Sequence, residues 1–96
     1  MAANFRISIH RKNEDLHLKL VGDFDGSSAF ELINVLKKNW NGAYKVFIHT
    51  ESLKDIYPFG RHTFQQNLSD LSGHRSRILF AGINAGQIAP ARSLRI

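Results

Sequence analysis

Apolar and polar residues alternate in two runs near the start of the chain, from residue 5 to 9 and from residue 16 to 20. A repeat of two is typical of a half-buried strand, because successive side chains point to opposite faces. The runs are separated by the turn-forming residues Asn13-Glu14-Asp15, so the pattern predicts an antiparallel hairpin. The predicted apolar face consists of Phe5, Ile7, Ile9, Leu16, Leu18 and Leu20.

The apolar spacing then changes to that of a helix. Four apolar residues follow at helical intervals, and Lys37 and Lys38 stand where the C-terminal end of the helix dipole favours cations. Ser27 or Ser28 is the predicted N-cap, because a hydroxyl at that position can accept a hydrogen bond from a free helix N–H. The four apolar positions are Phe30, Leu32, Ile33 and Leu36.

Two more strands and a second helix follow. Residues 45–50 and 77–82 are rich in β-branched and aromatic or continuous apolar residues, which favours strands. Between them, Pro58 suits a first helical turn, and Ser72-Gly73 suits a helix end. The apolar stripe of this second helix is Phe64, Leu68 and Leu71.

Residues 83–96 are predicted to form either an irregular basic tail or a short last helix that Pro90 ends. The whole order is hairpin, helix, strand, helix, strand and tail. It predicts an α/β fold in which an N-terminal hairpin precedes a βαβαβ unit with a mixed, mostly parallel sheet. At 96 residues, the chain is expected to be one domain, residues 1–96.

Composition limits the class of protein. An apolar fraction of 43% argues against disorder, and the lack of cysteine excludes disulfides and thiolate metal sites. No apolar run approaches the roughly 20 residues of a membrane span, and no signal peptide is recognisable. We therefore expect a soluble, cytoplasmic protein without a membrane partner.

Charge is unevenly distributed within a net charge of +5. After residue 71 there are four arginines and no acid, namely Arg75, Arg77, Arg92 and Arg95. Such an end can attract nucleic acid, although arginines without interleaved aromatic residues are a weak signature. A nucleic-acid-binding module is therefore retained as the alternative function, and a solvated basic end is the simpler interpretation.

Two strand–loop–helix segments resemble a known family. Gly22-Asp23-Phe24-Asp25 precedes the first helix, and Tyr57-Pro58-Phe59-Gly60 opens the second. Together they resemble the STAS domain, the fold of bacterial anti-sigma-factor antagonists, over roughly residues 16–82. In that family the second helix opens with Asp-Ser-Ser-Gly, and phosphorylation of the second serine releases a partner.

The resemblance fails at the switch itself. Tyr57 stands at the aspartate, Pro58 and Phe59 at the two serines, and Gly60 at the glycine. Because Phe59 has no hydroxyl, it cannot take the charge and acceptor oxygens that a phosphate adds. Nearby hydroxyls that could replace the serine belong to Thr50, Ser52 and Thr63.

The resemblance implies a regulatory role in transcription and signalling, with a histidine-kinase-like anti-sigma factor as the partner. The predicted partner-binding loop is Tyr57, Pro58, Phe59, Gly60 and Arg61, with Asp23 and Asp25 nearby. An exposed Phe59 favours constant apolar contact. The competing interpretation is that Phe59 points inward and fills the core. A monomer or weak homodimer is expected, and a scaffold that uses the hairpin edge is a third possibility.

Catalysis and metal binding have little support. Three imidazoles, those of His10, His17 and His49, could bind zinc if they converged, but solvated histidines are the simpler interpretation. Asp23 and Asp25 precede a helix, where acids have a structural reason to lie. We therefore predict no enzyme activity, no catalytic residues, no metal site and no cofactor.

Overall fold

A mixed β-sheet is the centre of the fold. The computed structural model describes residues 4–39, 45–68, 78–89 and 94–95, and within these residues the sheet has five strands in the order β1-β2-β3-β4-β5. The elements along the chain are β1 (Arg6–Lys12), β2 (Asp15–Phe24), α1 (Gly26–Asn39), β3 (Val46–Ile56), α2 (Pro58–Leu68), β4 (Ile78–Ala81), α3 (Ala85–Ile88) and β5 (Leu94–Arg95). β1 and β2 are antiparallel, and the other neighbours are parallel. The predicted α/β class and hairpin-plus-βαβαβ order are confirmed.

The hairpin has the predicted apolar face. Ile7 pairs with Leu20 and Ile9 pairs with Leu18, so the apolar residues of both strands lie on the same side of the sheet. The loop is tight, since Lys12 and Asp15 are already Cα partners, and Asn13 adopts a φ of 60°. Asparagine tolerates this left-handed conformation better than most residues do.

One face of the sheet packs against the helices. Alternate residues of β2 and β3 are fully buried in a single cluster with the apolar residues of α1 and α2. Three phenylalanine rings pack edge to face across this core. The ring centroids of Phe24 and Phe64 are 6.0 Å apart, and those of Phe64 and Phe80 are 6.1 Å apart. This geometry is favourable for aromatic rings, and it ties β2, α2 and β4 together.

β3 is longer than the sequence pattern predicted. It continues beyond Thr50 to Ile56, because Leu53 pairs with Gly22 and Ile56 pairs with Phe24 at the end of β2. Two register irregularities interrupt the pairing of β2 with β3. Such irregularities break the alternation of apolar and polar residues, so the extra strand length was not recognisable as strand.

The C-terminal segment contains the short last helix that was one of the two predicted alternatives, but it also contains an unpredicted strand. A one-turn helix, α3, is present, and β5 then pairs in parallel with β4 as a further strand that the pattern did not predict. The predicted end of the second helix at Ser72-Gly73 lies outside the described residues. No helix in the described part of the chain is long and apolar enough to cross a membrane.

Replacement of Phe64 with alanine should lower the free energy of unfolding by about 3–5 kcal/mol, because it removes a fully buried ring and leaves a cavity. Phe30→Ala is the matched control, since its ring is 53% exposed and its loss should change stability by less than about 0.5 kcal/mol. Urea denaturation followed by circular dichroism measures both. Equal losses for the two variants would show that the core is assigned incorrectly.

Candidate functional site

The two predicted loops lie side by side at the carboxyl end of the sheet. Tyr57 follows β3, and its backbone N–H donates a 3.0 Å hydrogen bond to the carbonyl oxygen of Phe24 at the end of β2. Gly60 in the first turn of α2 is buried against the same segment. A Cβ atom on Gly60 would lie 2.7 Å from the carbonyl oxygens of Phe24 and Asp25. Only glycine allows this approach without displacing backbone.

Asp25 is the N-cap of α1, a role that the sequence pattern assigned to Ser27 or Ser28. Its Oδ1 atom accepts a 2.9 Å hydrogen bond from the backbone N–H of Ser28, and further bonds from the hydroxyls of Ser27 and Ser28. The serine prediction was wrong because the helix begins at Gly26, two or three residues earlier than an N-cap at Ser27 or Ser28 implies. The Ser28 hydroxyl also donates to the carbonyl oxygen of Asp23 at 3.0 Å, which fixes the shape of the loop.

The pKa of Asp25 is lowered, chiefly because its carboxylate accepts the Ser28 backbone N–H; partial desolvation opposes this effect, and the two serine hydroxyls add to it. Asp23 has a different structural role. Its Oδ1 atom accepts a 3.3 Å bond from the backbone N–H of Asp55, so it links the ends of β2 and β3. Both acids therefore stabilise the loops that surround Tyr57.

Phe59 points outward. Its side chain is 70% exposed, so the interpretation in which Phe59 fills the core is wrong. The ring nevertheless lies close against the backbone of Gly26. A Cβ atom on Gly26 would lie 2.6 Å from the Cε2 atom of the ring and 2.7 Å from its Cδ2 atom. Phe59 therefore packs against bare helix backbone at the start of α1, and glycine at position 26 makes room for it.

Two more aromatic side chains are exposed at this end of the molecule. Tyr57 is 48% exposed, and Phe30, one turn after Gly26 on α1, is 53% exposed. We call Phe30, Tyr57 and Phe59 the aromatic surface. The sequence pattern grouped Phe30 with the apolar positions of α1, but Phe30 lies outside the buried stripe, which consists of Ala29, Leu32, Ile33 and Leu36. The available signal was the helical phase, which places Phe30 on the same side as Gly26.

The remaining loop residues add little chemistry. Pro58 and Arg61 are exposed, and the Arg61 backbone N–H continues the helix by donating to the Tyr57 carbonyl oxygen at 3.0 Å. Among the hydroxyls near the loop, Thr50 and Thr63 are buried, and Thr50 donates to the carbonyl oxygen of Ala81 at 2.8 Å. Neither buried hydroxyl is accessible to a kinase in the folded domain.

The other sequence-derived candidates lie elsewhere. Two of the three histidines converge: Nδ1 of His17 is 3.0 Å from Nε2 of His49, on the sheet face opposite the helices. Within the described residues, no group of three or more histidine, cysteine or acidic side chains is arranged to hold a metal ion. The basic tail is mostly not described, since Arg75, Arg77 and Arg92 lie outside the described residues.

Comparison with known proteins identifies the fold. Superposition on the anti-sigma factor antagonist SpoIIAA in its unphosphorylated form covers 96% of this chain and 86% of SpoIIAA, with a TM-score of 0.66 and 10% sequence identity. This chain has the fold of a STAS domain. At that identity the similarity concerns the fold, and no family model and no curated protein sequence matches the chain.

Two other solved structures are similar to this STAS-like domain. An uncharacterised protein from Shewanella loihica with a SpoIIAA-like fold matches 82% of this chain and 66% of its own, with a TM-score of 0.57 and 20% identity. The structure of Mglu matches 91% of this chain with a TM-score of 0.66 and 18% identity. The chain spans only 20% of the Mglu chain, so the domain type also occurs within a much longer protein.

Asp25→Ala should lower the free energy of unfolding by about 1 kcal/mol, because α1 loses its N-cap. Asp55→Ala is the control, since it removes the same charge from an exposed side chain. Both variants are compared with the unsubstituted protein by urea denaturation.

The effect of Asp25→Ala should depend on pH. The folded pKa lies below the ordinary value of 3.8, so the ionised carboxylate favours folding. Its contribution is complete above that ordinary value and is lost as pH falls through the lower folded pKa. A stability difference between the unsubstituted protein and Asp25→Ala that stays constant down to acid pH would contradict the capping role.

Proposed function

We propose that this STAS-like domain is a non-enzymatic regulatory module that binds a protein partner through the aromatic surface. The predicted loop of Tyr57, Pro58, Phe59, Gly60 and Arg61 supplies most of the contact, and Phe30 extends it onto α1. Asp23 and Asp25 contribute by stabilising the conformation of the loops through the hydrogen bonds that their carboxylates accept.

The exposure of Phe59 supports this proposal most directly. A phenyl ring that is 70% exposed gains little from folding, whereas burial beneath a partner would remove most of its apolar area from water. Aromatic residues are also prominent among the few that dominate binding energy at interfaces. Contact with the backbone of Gly26 restricts the ring before binding, so less conformational entropy is lost when the partner associates.

The fold supports one class of partner. A fold shared with an anti-sigma factor antagonist favours a histidine-kinase-like anti-sigma factor, in the cytoplasm of a bacterium, as the protein that docks here. A phosphate on the family's serine would add charge at this interface and disrupt an apolar contact. Phe59 cannot be phosphorylated, so we propose that its contact is constant and that regulation acts through the amount of partner or of this domain.

Phe59→Asp should abolish or strongly weaken partner binding, by about tenfold or more, because it places a carboxylate where the apolar contact forms. Ile9→Asp is the matched control: Ile9 is a 44% exposed apolar residue on β1, away from the two loops. Tagged unsubstituted protein and both variants are incubated with host lysate, and captured proteins are quantified by mass spectrometry.

The expected result is a signalling ATPase that is enriched by the unsubstituted protein and by Ile9→Asp, and lost with Phe59→Asp. The affinity of that protein for each variant is then measured with purified components. Equal binding by Phe59→Asp would contradict a role for the aromatic surface. Enrichment that disappears on nuclease treatment would favour the nucleic-acid alternative instead.

A further inference from the structure

A second site, separate from the aromatic surface, lies on the sheet face opposite the helices. A depression of about 560 Å³ opens there between β1, β2 and β3. We call it the outer depression. Its side chains include three histidines, two lysines and one acid, namely His10, His17, His49, Lys12, Lys19 and Glu51. Its volume falls in the range of sites that hold small molecules.

The strand register places a pair of imidazoles at the floor of the depression. His17 on β2 is the Cα partner of Phe47, and Lys19 is the Cα partner of His49, so all four residues project from the same face. The His17 ring stacks on Phe47 with a centroid distance of 4.7 Å and an interplanar angle of 9°. That stacking positions Nδ1 of His17 3.0 Å from Nε2 of His49, within hydrogen-bond distance.

The chemistry of this pair depends on one proton. In the neutral pair, one of the two facing nitrogens donates and the other accepts, so only one of the two outward nitrogens has a hydrogen. After uptake of a single proton, the facing nitrogens still share one hydrogen and both outward nitrogens become donors. One protonation therefore converts a donor-and-acceptor pair into a double donor with a positive charge, which suits an anion with several oxygens.

The surrounding charges also favour an anion. Lys12 and Lys19 are exposed at the rim of the depression, and His10 is the Cα partner of His17 on β1. Asp15 lies two positions before His17 on β2 and interacts with it electrostatically. The Cα partner of Asp15 is Lys12, and the charge of Lys12 offsets that of Asp15. On β3, the Oε2 atom of Glu51 lies only 2.8 Å from where a Cβ of Gly82 would be, so the carboxylate is turned toward β4.

The remaining cation is already engaged. Arg11 contributes to the wall of the depression, but its guanidinium donates a 2.8 Å hydrogen bond to the carbonyl oxygen of Asn39 at the end of α1. The cations available to a ligand are therefore Lys12, Lys19 and the protonated imidazoles.

We propose that the outer depression binds the phosphate group of a small phosphorylated molecule and that the His17–His49 pair takes up one proton on binding. The lysines supply charge at the rim, and the two outward imidazole N–H groups supply directed hydrogen bonds at the floor. This proposal is independent of the protein-binding role of the aromatic surface.

The electrostatics of the free protein agree with such coupling. Burial lowers the pKa of His17, and His49 lowers it further, with Lys12 and His10 acting in the same direction and Asp15 opposing them. The His17 imidazole of the free protein is therefore mostly neutral near pH 7. A bound anion favours the protonated pair, so its affinity should be highest at acid pH and fall as pH rises toward the raised pKa of the occupied pair.

The test is a titration of the folded chain with inorganic phosphate and with sulfate, followed by NMR at constant ionic strength. Phosphate tests recognition of the proposed group. Sulfate keeps its charge near neutral pH, so any pH dependence of its affinity reports protons taken up by the protein. We expect shifts at His17, Lys19 and His49, and a sulfate affinity that falls by up to about tenfold per pH unit between about pH 6 and about pH 8.

Substitutions assign the effect to the pair. His17→Gln and His49→Gln should each weaken sulfate binding by about tenfold at pH 6 and reduce the pH dependence. The matched control is His62→Gln, an exposed histidine on α2, which should change neither. Lys19→Gln should weaken binding but keep the pH dependence, and Lys54→Gln, an exposed lysine further along β3, is its control. Dispersed amide spectra show that each variant is folded.

Three results would overturn the proposal. The first is weak binding that chloride matches at equal ionic strength, and the second is a sulfate affinity that is independent of pH. The third is a response of the His17 and His49 resonances to Zn²⁺ or to single-stranded nucleic acid but not to phosphate. A small phosphomonoester that binds more tightly than free phosphate would support the proposal and identify the ligand class more closely.

Discussion

The close approach of α2 to the β2–α1 loop is the contact on which the aromatic surface depends. It depends on Gly60, whose missing side chain lets the first turn of α2 press against the backbone of Phe24 and Asp25. The hydrogen bond from the Tyr57 N–H to the Phe24 carbonyl oxygen joins the same two segments. With these segments joined, Phe59 projects past Gly26 into solvent, and the aromatic surface is built on backbone contacts rather than in a pocket.

The sheet separates two kinds of surface. Its inner face is covered by α1 and α2 around the Phe24, Phe64 and Phe80 rings. Its outer face has imidazoles and lysines in register across β1, β2 and β3. The aromatic surface and the outer depression therefore lie on different parts of the fold.

Periodicity in the sequence predicted the hairpin, the first two helices and the α/β class, since each element has a regular apolar repeat. It did not predict the full length of β3, because the register irregularities between β2 and β3 disrupt the alternation that marks a strand. The resemblance identified the loop at Phe59, but the direction of the ring depends on Gly26, a residue of the other helix. The His17–His49 contact depends on the strand register, which no local pattern specifies.

The aromatic surface exists only if the Phe59 ring lies outward on the backbone of Gly26. Nuclear Overhauser contacts measured in isotope-labelled protein test it most directly. We expect strong contacts between the Phe59 ring protons and the Gly26 Hα protons, and none between Phe59 and the buried ring of Phe64. Contacts from Phe59 to Phe64 or Phe24, with no contact to Gly26, would show an inward-pointing ring and contradict the account.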